Sequence, residues 1–243
     1  MPLMKLLPTA ILAWLFFGTF GVFSAVWTAL FIVRSEFPTA LVALGVAVFC
    51  FGLIIPLVKV VRENVEPRAE IDEDGTTFRP DRWIDIPVLM SLSGLVVASA
   101  MITVLAPPGK LDIAIPPFMR YSLPLVCAVV VLTGAPTLWR NFRRGSTSYL
   151  RLTLDGFELA QGWRSMTGDW ADVQDVTDEV PGQQAHTPNA IVFVMSDDTA
   201  PTLAAASYTP DAAAIRDLVR FYWKHADSRA ELTDGRALHR LNR

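Results

Sequence analysis

Cysteine and histidine are both scarce in this chain of 243 residues, and each shortage excludes a class of chemistry. The two cysteines, Cys50 and Cys127, both fall inside apolar runs. They offer neither a disulfide framework nor metal-ligand spacing and read as small apolar fillers. The three histidines, His186, His225 and His239, have no second ligand at metal spacing. Glycines form no phosphate-cradling loop, and Ser165 and Ser207 lack a nucleophile-elbow context. The acidic run Glu66–Asp81 has no partner base and reads as a solvated linker. The expectation is a protein that is not an enzyme and has no cofactor or metal site.

Charge is missing in one further place, the interior of four long apolar runs. Hydrophobic residues make up 52% of the chain, and nearly all of the excess lies before Arg140, the pattern of a membrane protein with a soluble appendage. The predicted transmembrane region covers residues 1–147, with spans over about 8–33, 37–58, 86–106 and 118–139. The first begins after Lys5 like a signal peptide. It is roughly 39 Å long at 1.5 Å per residue, too long for such a leader, and a second span follows, so it reads as an uncleaved anchor. Pro38 and Pro87 suit first helical turns, and Pro107-Pro108 stops the third span. Glu36, Asp85 and Arg120 lie only at span edges. Ion pumps, proton relays and voltage sensors need charge deeper in the membrane.

Cations flank the spans unevenly. Lys5, Lys59, Arg62, Arg68, Arg79, Arg82, Arg140, Arg143 and Arg144 fall on one side, against Arg34, Lys110 and Arg120 on the other. The positive-inside rule places both termini in the cytoplasm. Residues 145–243 hold nine Lys/Arg against fourteen Asp/Glu, and so acidic a domain argues against nucleic-acid binding.

Span one carries small residues at Gly21, Ala25 and Ala29, a spacing suited to close helix packing. Similar pairs occur at Ala43/Ala47 and Gly94/Ala98. If the small row of span one faces its neighbours, Phe16, Phe20, Phe23, Trp27 and Phe31 turn outward as an aromatic stripe. That stripe is the candidate interface with other integral membrane proteins.

The chain reads as one unit used twice. Spans one and two precede Glu70–Phe78, and spans three and four precede Arg151–Leu159. Each segment has Asp-Gly between strand-like runs, a strong hairpin signal, and Trp83 and Trp163 follow. The hairpin within 62–84 lies on the same membrane face as the C-terminal domain and is expected to pair with it, because an isolated two-stranded hairpin is marginal in water.

From residue 148 to 243 the pattern is short strands. Leu150, Leu152 and Leu154 alternate with polar residues as one apolar face. Further runs are predicted at Met166–Trp170, Val173–Val180, Ala190–Met195 and Thr202–Ala206. Gly168, Pro181-Gly182, Pro188-Asn189 and Asp197-Asp198 punctuate them. A helix capped by Thr209 follows. Its apolar stripe is Ile215, Leu218, Val219, Tyr222 and Trp223, with Arg216, Arg220 and Lys224 toward solvent. Leu232, Leu238 and Leu241 suit a short second helix.

The run Gly168-Asp169-Trp170-Ala171-Asp172-Val173-Gln174-Asp175-Val176 followed by that helix resembles bacterial pleckstrin-homology-like (PH-like) domains. The resemblance implies a cytoplasmic α+β domain, an antiparallel barrel or sandwich closed by its C-terminal helix, with Trp170, Val173 and Val176 in the core. Phosphoinositide-binding members of that family use a basic first turn. Here the turn is the acidic Asp155-Gly156, with only Arg151 and Arg164 near it, so no ligand residues carry over. The layout also resembles small actinobacterial membrane proteins, some of which accompany mammalian-cell-entry (Mce) lipid-uptake transporters as accessory subunits. What this implies is a non-catalytic accessory subunit in a bacterial plasma membrane. A self-contained membrane-anchored sensor or lipid-binding module is the alternative, and membrane lipid is a further expected partner.

Overall fold

The computed structural model describes residues 3–62, 65–113, 116–162, 164–179 and 190–241. His186, Trp163 and the Pro181-Gly182 and Pro188-Asn189 turns lie outside them. The chain divides into two compact units, residues 3–61 with 83–145, and residues 62–82 with 146–243.

The first unit is four helices, α1 (Leu3–Val33), α2 (Phe37–Val61), α3 (Arg82–Leu105) and α4 (Ser122–Arg144). All four are long and apolar enough to cross a membrane. Several boundaries differ from expectation: α1 begins at Leu3 rather than near 8, and α3 begins at Arg82 rather than near 86, so Pro87 lies inside the helix and not in its first turn. Both ends of α4 also move. Pro117–Met119 forms a 3-10 turn, so α4 starts at Ser122 rather than near 118. At its other end α4 runs past 139 to Arg144 and stops at Gly145, whose φ is 67°. Hydropathy marks only the apolar stretch, whereas arginines are good helix formers and favour a helix C-terminus. The Arg143 guanidinium also lies 4.9 Å from the centre of the Trp139 ring.

α1 turns into α2 through Arg34-Ser35-Glu36, with Ser35 left-handed at φ 62°. Its packing face is not the predicted Gly21/Ala25/Ala29 row. Gly21, Ser24, Thr28 and Phe31 are buried, while Ala25 and Ala29 are exposed. A row spaced strictly by four drifts about 40° around the helix at each step, given 3.6 residues per turn. Alternating steps of three and four, as in the buried row, stay on the seam between neighbouring helices. The Gly94/Ala98 pair does pack, against α2. A Cβ on Gly45 would sit 2.7 Å from the carbonyl oxygen of Gly94, and one on Gly94 2.5 Å from that of Gly45. The two backbones therefore touch where only glycine fits. Ser91 Oγ donates across this seam to the Phe49 carbonyl at 2.8 Å.

The second unit is antiparallel sheet. One sheet orders β1 (Arg68–Asp72), β2 (Gly75–Arg79), β3 (Ser148–Thr153), β4 (Gly156–Gln161) and β5 (Arg164–Asp169) as a meander. The expected pairing of the hairpin with the C-terminal domain is present: Thr76 lies opposite Leu152 and Phe78 opposite Leu150. The second sheet is β6 (Val173–Thr177), β7 (Ala190–Met195) and β8 (Thr202–Ala204). α5 (Ala212–Lys224) follows, then a 3-10 stretch over Ala226–Leu232, then α6 (Arg236–Leu241).

The two hairpins turn alike. Asp72 Oδ1 accepts the Gly75 N–H at 2.9 Å, and Thr153 Oγ1 accepts the Gly156 N–H at 3.1 Å. Asp74 and Asp155 close the turns, and each glycine opens the returning strand. A Cβ on Gly75 would lie 2.1 Å from the Leu152 carbonyl oxygen, and one on Gly156 2.2 Å from that of Gly168. Each Asp-Gly pair thus serves the next strand's approach as much as the turn.

Phe78, Leu150, Leu152, Phe157, Trp170, Val173 and Val176 are in one buried core with α5. Leu154, expected on that face, is exposed because it sits in the β3–β4 turn. Trp170 Nε1 donates to the Thr153 carbonyl at 3.0 Å, which satisfies its polar atom inside the core. Asp211 caps α5, accepting the Ala213 N–H, in place of the expected Thr209, which is buried. Arg216 and Arg220 do not point to solvent as expected. Arg216 pairs with Asp178 at 2.6 Å and Arg220 donates to the Val176 carbonyl, so both bind α5 to β6 and its end. Leu232 and Leu241 are buried in the same core. Tyr222 is fully buried with its hydroxyl against Glu231; burial first, then that carboxylate, pushes its pKa up to about 12.

Candidate functional site

The five stripe residues of α1 form one ladder of rings. Successive centroids are 6.2 Å apart from Phe16 to Phe20, 6.4 Å to Phe23, 6.0 Å to Trp27 and 5.2 Å to Phe31. Helical spacings of four, three, four and four residues bring them together. The ladder does not face outward along its whole length. Phe16, Phe20 and Phe23 are about half or more exposed, Trp27 is half-buried and Phe31 is only 6% exposed. The cause is the seam itself. Phe31 belongs to the buried Gly21–Phe31 row, so the ladder winds from the open face into the α1–α2 contact.

Where it winds in, a groove of ≈ 470 Å³ opens between α1 and α2. Phe20, Phe23, Trp27 and Phe31 line one wall, Val42 and Val46 the other. Its polar atoms gather mainly at the end nearest the α1–α2 turn. There the Asp112 N–H donates to Thr39 Oγ1 at 3.0 Å, which ties the segment after α3 to α2. Arg34 reaches Asp112 at 3.9 Å, with both side chains more than half exposed. Ser24 lines the groove on α1, and next to it Thr28 Oγ1 turns back to the Ser24 carbonyl at 2.8 Å. No protein-family model, curated protein or solved structure matches the chain.

The sheet unit has its own concavities. Two clefts of ≈ 570 and ≈ 230 Å³ share Met166, Thr199 and Pro201, between β5 and the β7–β8 turn. Asp172 and Asp197 are the titratable groups lining them. The Thr199 hydroxyl at 2.6 Å and its N–H at 3.0 Å hold the Asp197 carboxyl below the usual carboxylate range. A carboxylate so fixed is a turn-former and a poor proton donor.

Of the two cations near the first C-terminal turn, the Arg164 side chain lies outside what the structure describes, and Arg151 is engaged elsewhere. Arg151 Nη2 lies 2.9 Å from Asp72 and 3.4 Å from Asp74 across the β2–β3 pairing. Burial pushes the Asp72 carboxyl up, but the Arg151 hydrogen bond and the N–H groups of Asp74 and Gly75 outweigh it, and the net shift is downward. Ser207 Oγ donates to the Ala204 carbonyl at 3.1 Å, and the Ser207 carbonyl accepts the Asp81 N–H at 3.2 Å. The His225 ring stacks on Phe221 with centroids 4.5 Å apart. Among the described residues, no three of His, Cys, Asp and Glu gather in a way that would hold a metal ion. Sequence reasoning missed Ser24, Thr39 and Asp112. The signal was present for the first: Ser24 and Thr28 are polar residues at seam spacing inside an uncharged span.

Proposed function

We propose that this chain is a non-catalytic accessory or scaffold subunit of a larger complex in a bacterial plasma membrane, with α1 as its partner-facing helix. The observation that carries this reading is the ring ladder. Lipid tails are as apolar as these side chains, so contact with lipid gives no hydrophobic reason to stack them on one face. Packing against another membrane protein does, because rigid rings bury much area at small entropic cost. A lipid-uptake transporter of the Mce type is the candidate partner, from the likeness of layout alone. Replacing Phe16, Phe20 and Phe23 by leucine keeps α1 hydrophobic. The triple variant is expected to insert at wild-type level and lose most of the partner recovered when the chain is purified from native membranes. Wild-type recovery of every partner refutes the reading.

The sheet unit we read as PH-like, from its two antiparallel sheets closed by α5. We place it and both termini in the cytoplasm. The flanking cations favour that side. The pairing of β2 with β3 also demands that residues 62–82 and 146–243 share one membrane face. A membrane-impermeant thiol reagent applied from outside is expected to label Gly109→Cys and spare Gly235→Cys. The reverse pattern overturns the topology. The alternative of a self-contained lipid-binding module is favoured by one feature, the groove beside Thr39.

A further inference from the structure

The groove between α1 and α2 is long and narrow. From Phe20 to Phe31 it follows α1 for about 16 Å at 1.5 Å per residue. Its ≈ 470 Å³ spread along that length is a shape that one extended alkyl chain can fill. The walls are chemically sorted along the same axis. Rings and valines line most of the length, with Ser24 between Phe23 and Trp27, and Thr39 and Asp112 close one end with Arg34 beside them. That end lies at the α1–α2 turn, where an uncharged span gives way to Arg34 and Glu36, the level at which hydrocarbon meets headgroups.

We infer that this groove is a binding slot for one acyl chain of a membrane phospholipid, with the headgroup phosphate held at Arg34. An apolar chain gains nothing hydrophobic by leaving the bilayer for the slot. Residence comes instead from shape-matched contact with the rings and from the charged end. Arg34 and Asp112 are both more than half exposed and 3.9 Å apart, a loose pair that leaves guanidinium N–H groups for phosphate oxygens. The opposite signs of the two suit a zwitterionic headgroup, whose phosphate faces Arg34 and whose ammonium faces Asp112. The slot rests on the reading that these helices cross a membrane. It does not require a protein partner: Phe20 and Phe23 belong both to the groove wall and to the partner-facing part of the ladder, so the variants that test the slot fill it from the α2 side.

The test uses the full chain in nanodiscs of phosphatidylethanolamine and phosphatidylglycerol. These are doped with a phosphatidylethanolamine that carries a photoreactive diazirine near the end of one acyl chain. Label is expected to concentrate on peptides covering 20–31 and 39–46. Ala43→Phe, which fills the groove from α2, is expected to lower that label about tenfold, as loss of a specific site requires, and to leave label on α4 unchanged. Val46→Phe serves as an independent filling variant, and near-ultraviolet circular dichroism checks that both remain folded. Arg34→Gln is expected to reduce retained phosphatidylethanolamine in native mass spectra. Equal label on α1 and α2 in a folded filling variant overturns the slot, as does label spread evenly over all four helices. Retention of free fatty acid without phospholipid overturns the headgroup assignment and the proposal with it. A chain that takes label on none of its helices fails the membrane-crossing reading itself, a result distinct from the others.

Discussion

Residues 146–243 expressed without the β1–β2 hairpin are expected to fail to fold, and a peptide covering 65–82 is expected to restore them. Removing the hairpin takes Phe78 out of the core, where it is 1% exposed, and leaves β3 as an edge. Loss of a buried phenylalanine alone costs about 3–5 kcal/mol. The β2–β3 ladder over residues 75–78 goes with it, and so does the hydrogen bond from Thr76 Oγ1 to the Leu232 carbonyl at 2.5 Å. Against the 5–15 kcal/mol that typically holds a domain folded, the fragment has little left. Amide proton spectra check this. The fragment alone should give narrow dispersion, and saturating peptide should produce a folded pattern. A dispersed spectrum that the peptide leaves unchanged would show that the hairpin is dispensable.

Phe157→Ala is expected to be nearly as severe. The Phe157 ring is stacked on Phe193 with centroids 4.0 Å apart and lies 6.0 Å from Trp170. It joins both sheets at the centre of the core. Truncation leaves a cavity the surrounding strands cannot close, at a cost of about 3–5 kcal/mol. With a urea dependence of about 1–3 kcal/mol per molar, the unfolding midpoint of the sheet unit should fall by roughly 2 M. Phe142→Ala on α4 is the control, since that ring is largely exposed. A midpoint unchanged in Phe157→Ala would remove this ring from the list of residues that hold the domain.

Both results bear on what the sequence made legible. Apolar run length marks the four helices, and alternation with Asp-Gly marks the hairpins, because burial period and turn chemistry are local. That the hairpin pairs with the C-terminal domain was legible too, since an isolated two-stranded hairpin is marginal; that β3 is the strand it meets was not. What stayed hidden depends on which neighbour each helix meets. Gly21, Ala25 and Ala29 look equivalent along the chain, yet only Gly21 lies on the seam. The four-residue spacing promised one contact geometry and the helices adopt another. Arg216 and Arg220 look like solvent-facing charges until Asp178 and the Val176 carbonyl are placed beside them. The groove end was hidden for the same reason: Thr39 and Asp112 are 73 positions apart, and nothing local announces their meeting.

The interleaving of the hairpin with the helices also fixes an order of events during synthesis. β2 leaves the ribosome about seventy residues before β3, which at 5–20 residues per second is a wait of roughly 4–14 s. Throughout that interval the outer edge of β2 has no strand to meet. It gains one only after α3 and α4 have followed it out. Closure of the five-stranded sheet therefore waits on the synthesis of two whole helices, and the last edge to be covered belongs to the first strands made.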